Sequence, residues 1–254
     1  MADPAQAPGY FLYVPPSVPK QGPVQLVVAL HGVGENGFIA GWPFRSLALK
    51  HGWILAAPTM SWGDWFDPER VRIEDLHYVR QIEALLADVP LRTGREIPGP
   101  VYLVGFSRGA QLADRFAFFH PDEVAAVASM SAGTYTMPQD SADLNGDGAT
   151  EPLPLPFGTA DMPRLLGHGL DVDQLRRVAF WVSVGAEDDN PEDLPRQWDA
   201  LLGSTRVARA EVFASRLQAL NVPAQLQVFP GATHQLTRQM TAGVDDFLSR
   251  VAAG

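Results

Sequence analysis

An α/β architecture around one mostly parallel sheet follows from three features of this 254-residue sequence. Short β-rich apolar runs recur along it, separated by stretches whose apolar residues return at three- and four-residue steps. Several runs are apolar on both faces, as strands covered by helices on each side must be. The length, with 46% hydrophobic residues, suits one large domain with a sizeable core, here 1–254.

Taken in order, the first strand is Phe-Leu-Tyr-Val at 11–14. It lies only about ten residues before the next run, too close for a crossover helix, and is expected antiparallel. Strands at 24–30 and 53–57 follow. A helix over 72–89 carries Ile73, Leu76, Val79, Ile82, Leu85 and Leu86 on one face, with Glu74 and Asp75 near its positive end. Next come a strand at 101–104, a helix at 111–119 and a strand at 124–130. Strand 178–184, helix 205–220 closing at Asn221, strand 225–229 and helix 241–252 complete the alternation. Segment 132–177, rich in Pro, Gly, Asp and Leu, breaks this rhythm between the strands ending near 130 and starting near 178. Excursions of that length are usually lids or binding loops.

Nineteen basic against twenty-nine acidic residues leave a net charge of −10, which disfavours nucleic acid as a partner. The chain has no cysteine, so disulfides, thiolate metal sites and a cysteine nucleophile are excluded. Residues 1–8 lack the basic and apolar regions of a signal peptide, and no apolar run is long enough to span a bilayer. A soluble protein is expected, cytoplasmic or secreted with its leader absent from this chain; oligomeric state is not legible.

The stretch Val101-Tyr-Leu-Val-Gly-Phe-Ser-Arg-Gly-Ala110 places Gly105-x-Ser107-x-Gly109 between a strand and a helix. A sharp strand-to-helix turn lifts the serine oxygen clear of the sheet, and flanking glycines relieve the crowding. The helix that follows aims its N-terminal amides at charge developing during acyl transfer. A serine nucleophile needs an imidazole base, and the imidazole a carboxylate to hold its tautomer. Of six histidines, only His234 follows the last strand, in a loop opening the final helix. The acid should leave the preceding strand, whose end offers Glu187, Asp188 and Asp189.

With these residues together, the chain resembles α/β-hydrolase serine esterases over nearly its whole length. Gly-Phe-Ser-Arg-Gly is similar to the elbow of the phospholipase/carboxylesterase group. The loop Leu30-His-Gly-Val-Gly-Glu-Asn-Gly37 resembles polyhydroxybutyrate depolymerase-like and feruloyl esterase-like hydrolases. Two departures stand out: Ala110 follows Gly109 where these groups commonly carry a second glycine, and 132–177 matches none of their lids. The resemblance implies the triad Ser107, Asp188 and His234, the acid standing three residues after Gly185. It also implies an oxyanion hole formed by the amides of Val33 and Arg108. The activity it implies is hydrolysis of a small-molecule or polymeric carboxylic ester, with aryl, feruloyl or polyester-type substrates and no required cofactor. The same triad would serve a thioesterase or an amidase/peptidase, and a non-catalytic binding relative would share the fold.

His31, Trp62, Trp65 and Tyr135 are the candidate substrate contacts. The two tryptophans form either an aromatic platform or a satellite core under the insertion. Asp143, Asn145 and Asp147, followed by Gly148, match the first half of a calcium loop, but Pro154 stands where its bidentate glutamate belongs. Either a structural calcium or a metal-free polar turn fits that pattern.

Overall fold

The protein is described here from a computed structural model covering residues 9–254. The leading segment 1–8, read above as lacking a signal peptide, lies outside the described residues. The first half comprises β1 (Tyr10–Tyr13), β2 (Leu26–Leu30), α1 (Gly37–Gly41), α2 (Arg45–His51), β3 (Ile54–Pro58), α3 (Pro68–Thr93), β4 (Val101–Phe106), α4 (Arg108–Phe119) and β5 (Val124–Met130). The second half comprises β6 (Ser141–Ala142), β7 (Glu151–Pro152), α5 (Met162–Leu166), α6 (Val172–Leu175), β8 (Ala179–Gly185), α7 (Asp199–Leu202), α8 (Arg206–Ala219), β9 (Ala224–Phe229) and α9 (Arg238–Ala253).

Seven strands form the central sheet in the order β1-β3-β2-β4-β5-β8-β9. Only β1 runs antiparallel, as its short link to β2 requires. The strands alternate between two cores. Leu26, Val28 and Leu30 face one with α3, α4 and α8, while Val27 and Ala29 face the other with α1, α2 and α9. Over the central strands both faces are therefore covered, which explains runs without a polar side. Parallel strands bring the ends of β2, β4, β8 and β9 to one edge, and the loops that leave those ends carry the candidate site.

Helix α3 begins earlier than its apolar pattern suggests, because Asp67 caps it and Pro68 fits the first turn. Its buried face holds Val71, Asp75, Tyr78, Ile82 and Leu85, and Ile73 is exposed. Two polar residues, Glu74 and Asp75, hold places a purely apolar stripe would have filled. Helices α1 and α2 were not foreseen, since glycines and Pro43 interrupt any periodic pattern there. Asn36 starts α1 by accepting the Ile39 amide at 3.1 Å.

Segment 132–177 packs Tyr135, Met137, Leu155, Met162 and Leu175 into the core shared by α4 and α8. The Asp143 loop is a turn built from its own groups. The Asp143 carboxylate accepts the amides of Gly146, Asp147 and Gly148, and Asn145 donates to Glu151. These backbone bonds, chiefly that from Gly148, hold the Asp143 carboxyl below its usual range. Among the described residues no three His, Cys, Asp or Glu side chains converge on a metal position. No described helix is long and apolar enough to cross a membrane.

Candidate active site

Strand β4 delivers the chain to Ser107, whose φ of 53° and ψ of −118° lie where L-residues are rare. The flanking glycines make that turn sterically feasible. A Cβ on Gly105 would stand 2.5 Å from the backbone of Gly109 and Ala110, and one on Gly109 would stand 2.2 Å from the Leu30 carbonyl oxygen. The Ser107 amide is fixed by donating to the Met130 carbonyl at 2.8 Å.

Two loops bring the partners in. The turn after β8 is laced to the loop after β9, Ala186 donating to Phe229 and Glu187 to Ala232, both at 2.9 Å. Within this frame Ser107 Oγ donates to His234 Nε2 at 3.0 Å, and His234 Nδ1 donates to Asp188 Oδ2 at 2.8 Å. A carboxylate can only accept, so the proton must sit on Nδ1, leaving Nε2 free to receive the serine proton. Asp188 is buried, whereas Glu187 and Asp189 are exposed.

The opposite oxygen, Asp188 Oδ1, accepts from Arg206 Nη1 at 2.7 Å, an ion pair with both side chains buried. Sequence reasoning missed Arg206. A signal existed: an arginine at the first position of α8 opposes the helix dipole, which suggests a local partner.

A cavity of about 320 Å³ opens over Ser107 and His234, with Val33, Trp65, Phe106 and Gln111 in its wall. The amides of Val33 and Arg108 both belong to lining residues, and neither donates a hydrogen bond among the described residues. The Arg108 side chain turns away into the core. It donates to Asp75 Oδ1 at 2.6 Å and lies 4.7 Å over the Trp62 ring. Arg115 pairs with the other oxygen of Asp75, so one buried carboxylate ties α3 to the helix of the elbow.

Of the other candidates, Trp65 alone reaches the cavity. Three sequence expectations are corrected. His31 is buried, accepting the Met60 amide at Nε2 (2.9 Å) and donating from Nδ1 to the Gly32 carbonyl (2.7 Å). Burial pushes its pKa down, offset in part by the Gly32 bond and by Glu35, so His31 braces the loop as a neutral ring. Trp62 donates to the His31 carbonyl at 3.2 Å and packs edge-on against Tyr78, so it joins the main core and neither lines the cavity nor lies under the insertion. Tyr135 is fully buried and stacks on Phe213 at 4.4 Å. Segment 132–177 contributes only Gly133 to the cavity lining.

Sheet order, elbow and relay together define an α/β-hydrolase fold with a serine-centred site. The chain matches no family model. It is 29% identical over 157 residues to NocK of Nocardia uniformis subsp. tsuyamanensis, which carries an esterase name; the match covers 58% of this chain and 42% of that protein. It is 28% identical over 138 residues to poly(3-hydroxyalkanoate) depolymerase C of Paucimonas lemoignei, covering 49% of this chain and 31% of that one. The matches thus span less than half the length of these curated relatives. Among solved structures, poly(aspartic acid) hydrolase-1 from Sphingomonas sp. KT-1 superposes with a TM-score of 0.67 at 20% identity, covering 95% of this chain and 91% of that one. Esterase PE8 gives 0.61 at 18% identity, with coverages of 94% and 97%. A ferulic acid esterase gives 0.59 at 18%, with coverages of 95% and 92%. At such identities these structures speak for the fold.

Proposed function

We propose that the chain is a carboxylic ester hydrolase working through an acyl-enzyme, with 1–254 as one catalytic unit. The observation that carries this reading is the relay from Ser107 through His234 to a buried Asp188, beside two amides free to bind an oxyanion. Ser107 Oγ attacks the ester carbonyl while His234 Nε2 takes its proton, and Asp188 steadies the imidazolium that forms. The amides of Val33 and Arg108 receive the carbonyl oxygen as it becomes an anion. His234 then protonates the departing alcohol. Water repeats the sequence to release the acid and restore Ser107. The scheme calls on no organic cofactor or metal.

The esterase and depolymerase names of the partial relatives agree with an ester as substrate. Trp65, Phe106 and Val33 at the cavity suit an aryl ester, a feruloyl ester or one unit of a polyester chain. The test pairs a fluorophosphonate label with hydrolysis of p-nitrophenyl esters of rising chain length, methyl ferulate and a polyester film. Wild-type protein should label at Ser107 and turn over at least one ester. Ser107→Ala should lose the label and fall below ~1% of the wild-type rate with its fold intact. Retained turnover in that variant would remove Ser107 as nucleophile.

A further inference from the structure

Part of the cavity wall is polar and underemployed. Gln111 stands one turn along α4 from Ser107, is only 6% exposed and lines the cavity with Gly133, Pro195 and Arg206. Its side-chain amide makes no hydrogen bond among the described residues, and its Nε2 lies 3.4 Å from where a side chain on Gly133 would begin. Arg206 is 3% exposed, with one nitrogen given to Asp188, while its buried Nε has no partner. With no bond to the protein, the Gln111 amide is left to bond whatever enters the cavity, and covering it with an apolar group would be costly.

Charge narrows what that can be. The cation of Arg206 is already balanced by Asp188. The other ionisable side chains in the wall besides Arg108 and His234 are acidic, Glu35 and Asp193. Arg108 spends its charge on Asp75 inside the core. A carboxylate tail would therefore meet two acids and no free cation, and a plain alkyl chain would bury the amide unpaired. A neutral oxygen meets neither penalty. The acyl group would be held on Ser107, one helical turn from Gln111, which favours the acyl side for that oxygen.

Building on the esterase reading, we propose that the cavity selects acyl chains bearing a neutral hydrogen-bonding oxygen, a carbonyl or hydroxyl. The side-chain amide of Gln111 reads that oxygen.

Three p-nitrophenyl esters test this: pentanoate, 4-oxopentanoate and hemisuccinate. The first two differ by a ketone oxygen, and the last two by a methyl group against a charged oxygen. With kcat/KM normalised to each ester's rate in alkali, 4-oxopentanoate should exceed both others by about tenfold or more. Gln111→Leu, checked for native circular dichroism, should bring 4-oxopentanoate within about twofold of pentanoate. Gln111→Met serves the same purpose if the leucine variant does not fold. Equal or faster hydrolysis of pentanoate by wild-type protein overturns the proposal while leaving the esterase reading intact, and so does a preference for hemisuccinate. A preference that survives both Gln111 substitutions removes the residue from the role assigned to it. Failure to hydrolyse any ester or to label at Ser107 would overturn the esterase reading and this proposal with it.

Discussion

Three consecutive acids follow β8, and composition alone does not separate them. Their surroundings do. Asp188 turns inward between the His234 imidazole and the Arg206 guanidinium, whereas Glu187 and Asp189 face solvent. Asp188→Asn should therefore lower kcat by ~100-fold or more, because an amide in that place can donate to Nδ1 and favour the wrong tautomer. Glu187→Gln and Asp189→Asn should stay within about tenfold of wild type in the same assay. A crippled Asp189→Asn with an active Asp188→Asn would move the role by one residue. Ser107 and His234 could be found by spacing and chain order, since the proposed chemistry calls for those residue types there. Gln111 and Arg206 could not, because a buried polar side chain acquires its meaning from neighbours far away in sequence. Tyr135 shows the converse: a tyrosine soon after a strand end does not announce that it will stack under Phe213.

The seven strands of the central sheet were legible along the chain and β1 in direction, the central ones because burial on both faces leaves an uninterrupted apolar signature; the two-residue β6 and β7 carry no such signature. The long helices were legible except where polar groups belong to the interior. Asp75 is the clearest case: its place near the start of α3 invites a dipole argument, yet it is buried between Arg108 and Arg115. Burial alone would push the Arg115 guanidinium toward neutrality, and Asp75 opposes that. Asp75→Ala would strand two buried cations, at a cost of about 3–5 kcal/mol. The melting temperature should drop by roughly 10 °C, measured by calorimetry; a change under about 2 °C would show that the pair contributes little. The Asp143 turn leads to a milder expectation. Its carboxylate is occupied by backbone amides, so neither a chelator nor added calcium should move the melting curve. A calcium-dependent rise would restore the metal reading of that loop.

The fold as a whole is a sheet sealed on both sides, and sealing one side has enclosed a titratable group that the proposed chemistry does not use. Asp114 lies midway along α4 with no exposed surface. Its Oδ2 accepts from Ser129 Oγ on β5 at 2.8 Å, and Oδ1 has no partner. Burial pushes its carboxyl up to about 8, with the Ser129 bond and the nearby Arg115 charge pulling partly back. In the unfolded chain the same group titrates at about 3.9. Between those two values the folded protein holds a proton that the unfolded chain has released. Unfolding therefore gives up a proton, and this group's contribution favours the fold less as pH rises through that window. Below the unfolded value both states are protonated and the contribution is fully present; above about 8 both are ionised and the loss levels off. Asp114→Asn keeps an oxygen for Ser129 and removes the titration. The melting temperature of the variant minus that of wild type should therefore climb steadily from pH 5 to pH 8 and flatten beyond. The absolute difference at any one pH also carries the fit of the new amide, so the slope is the quantity to read. A difference that stays level across this range would mean Asp114 does not change protonation there, and a falling one would mean that its ionised form is the one the folded chain prefers.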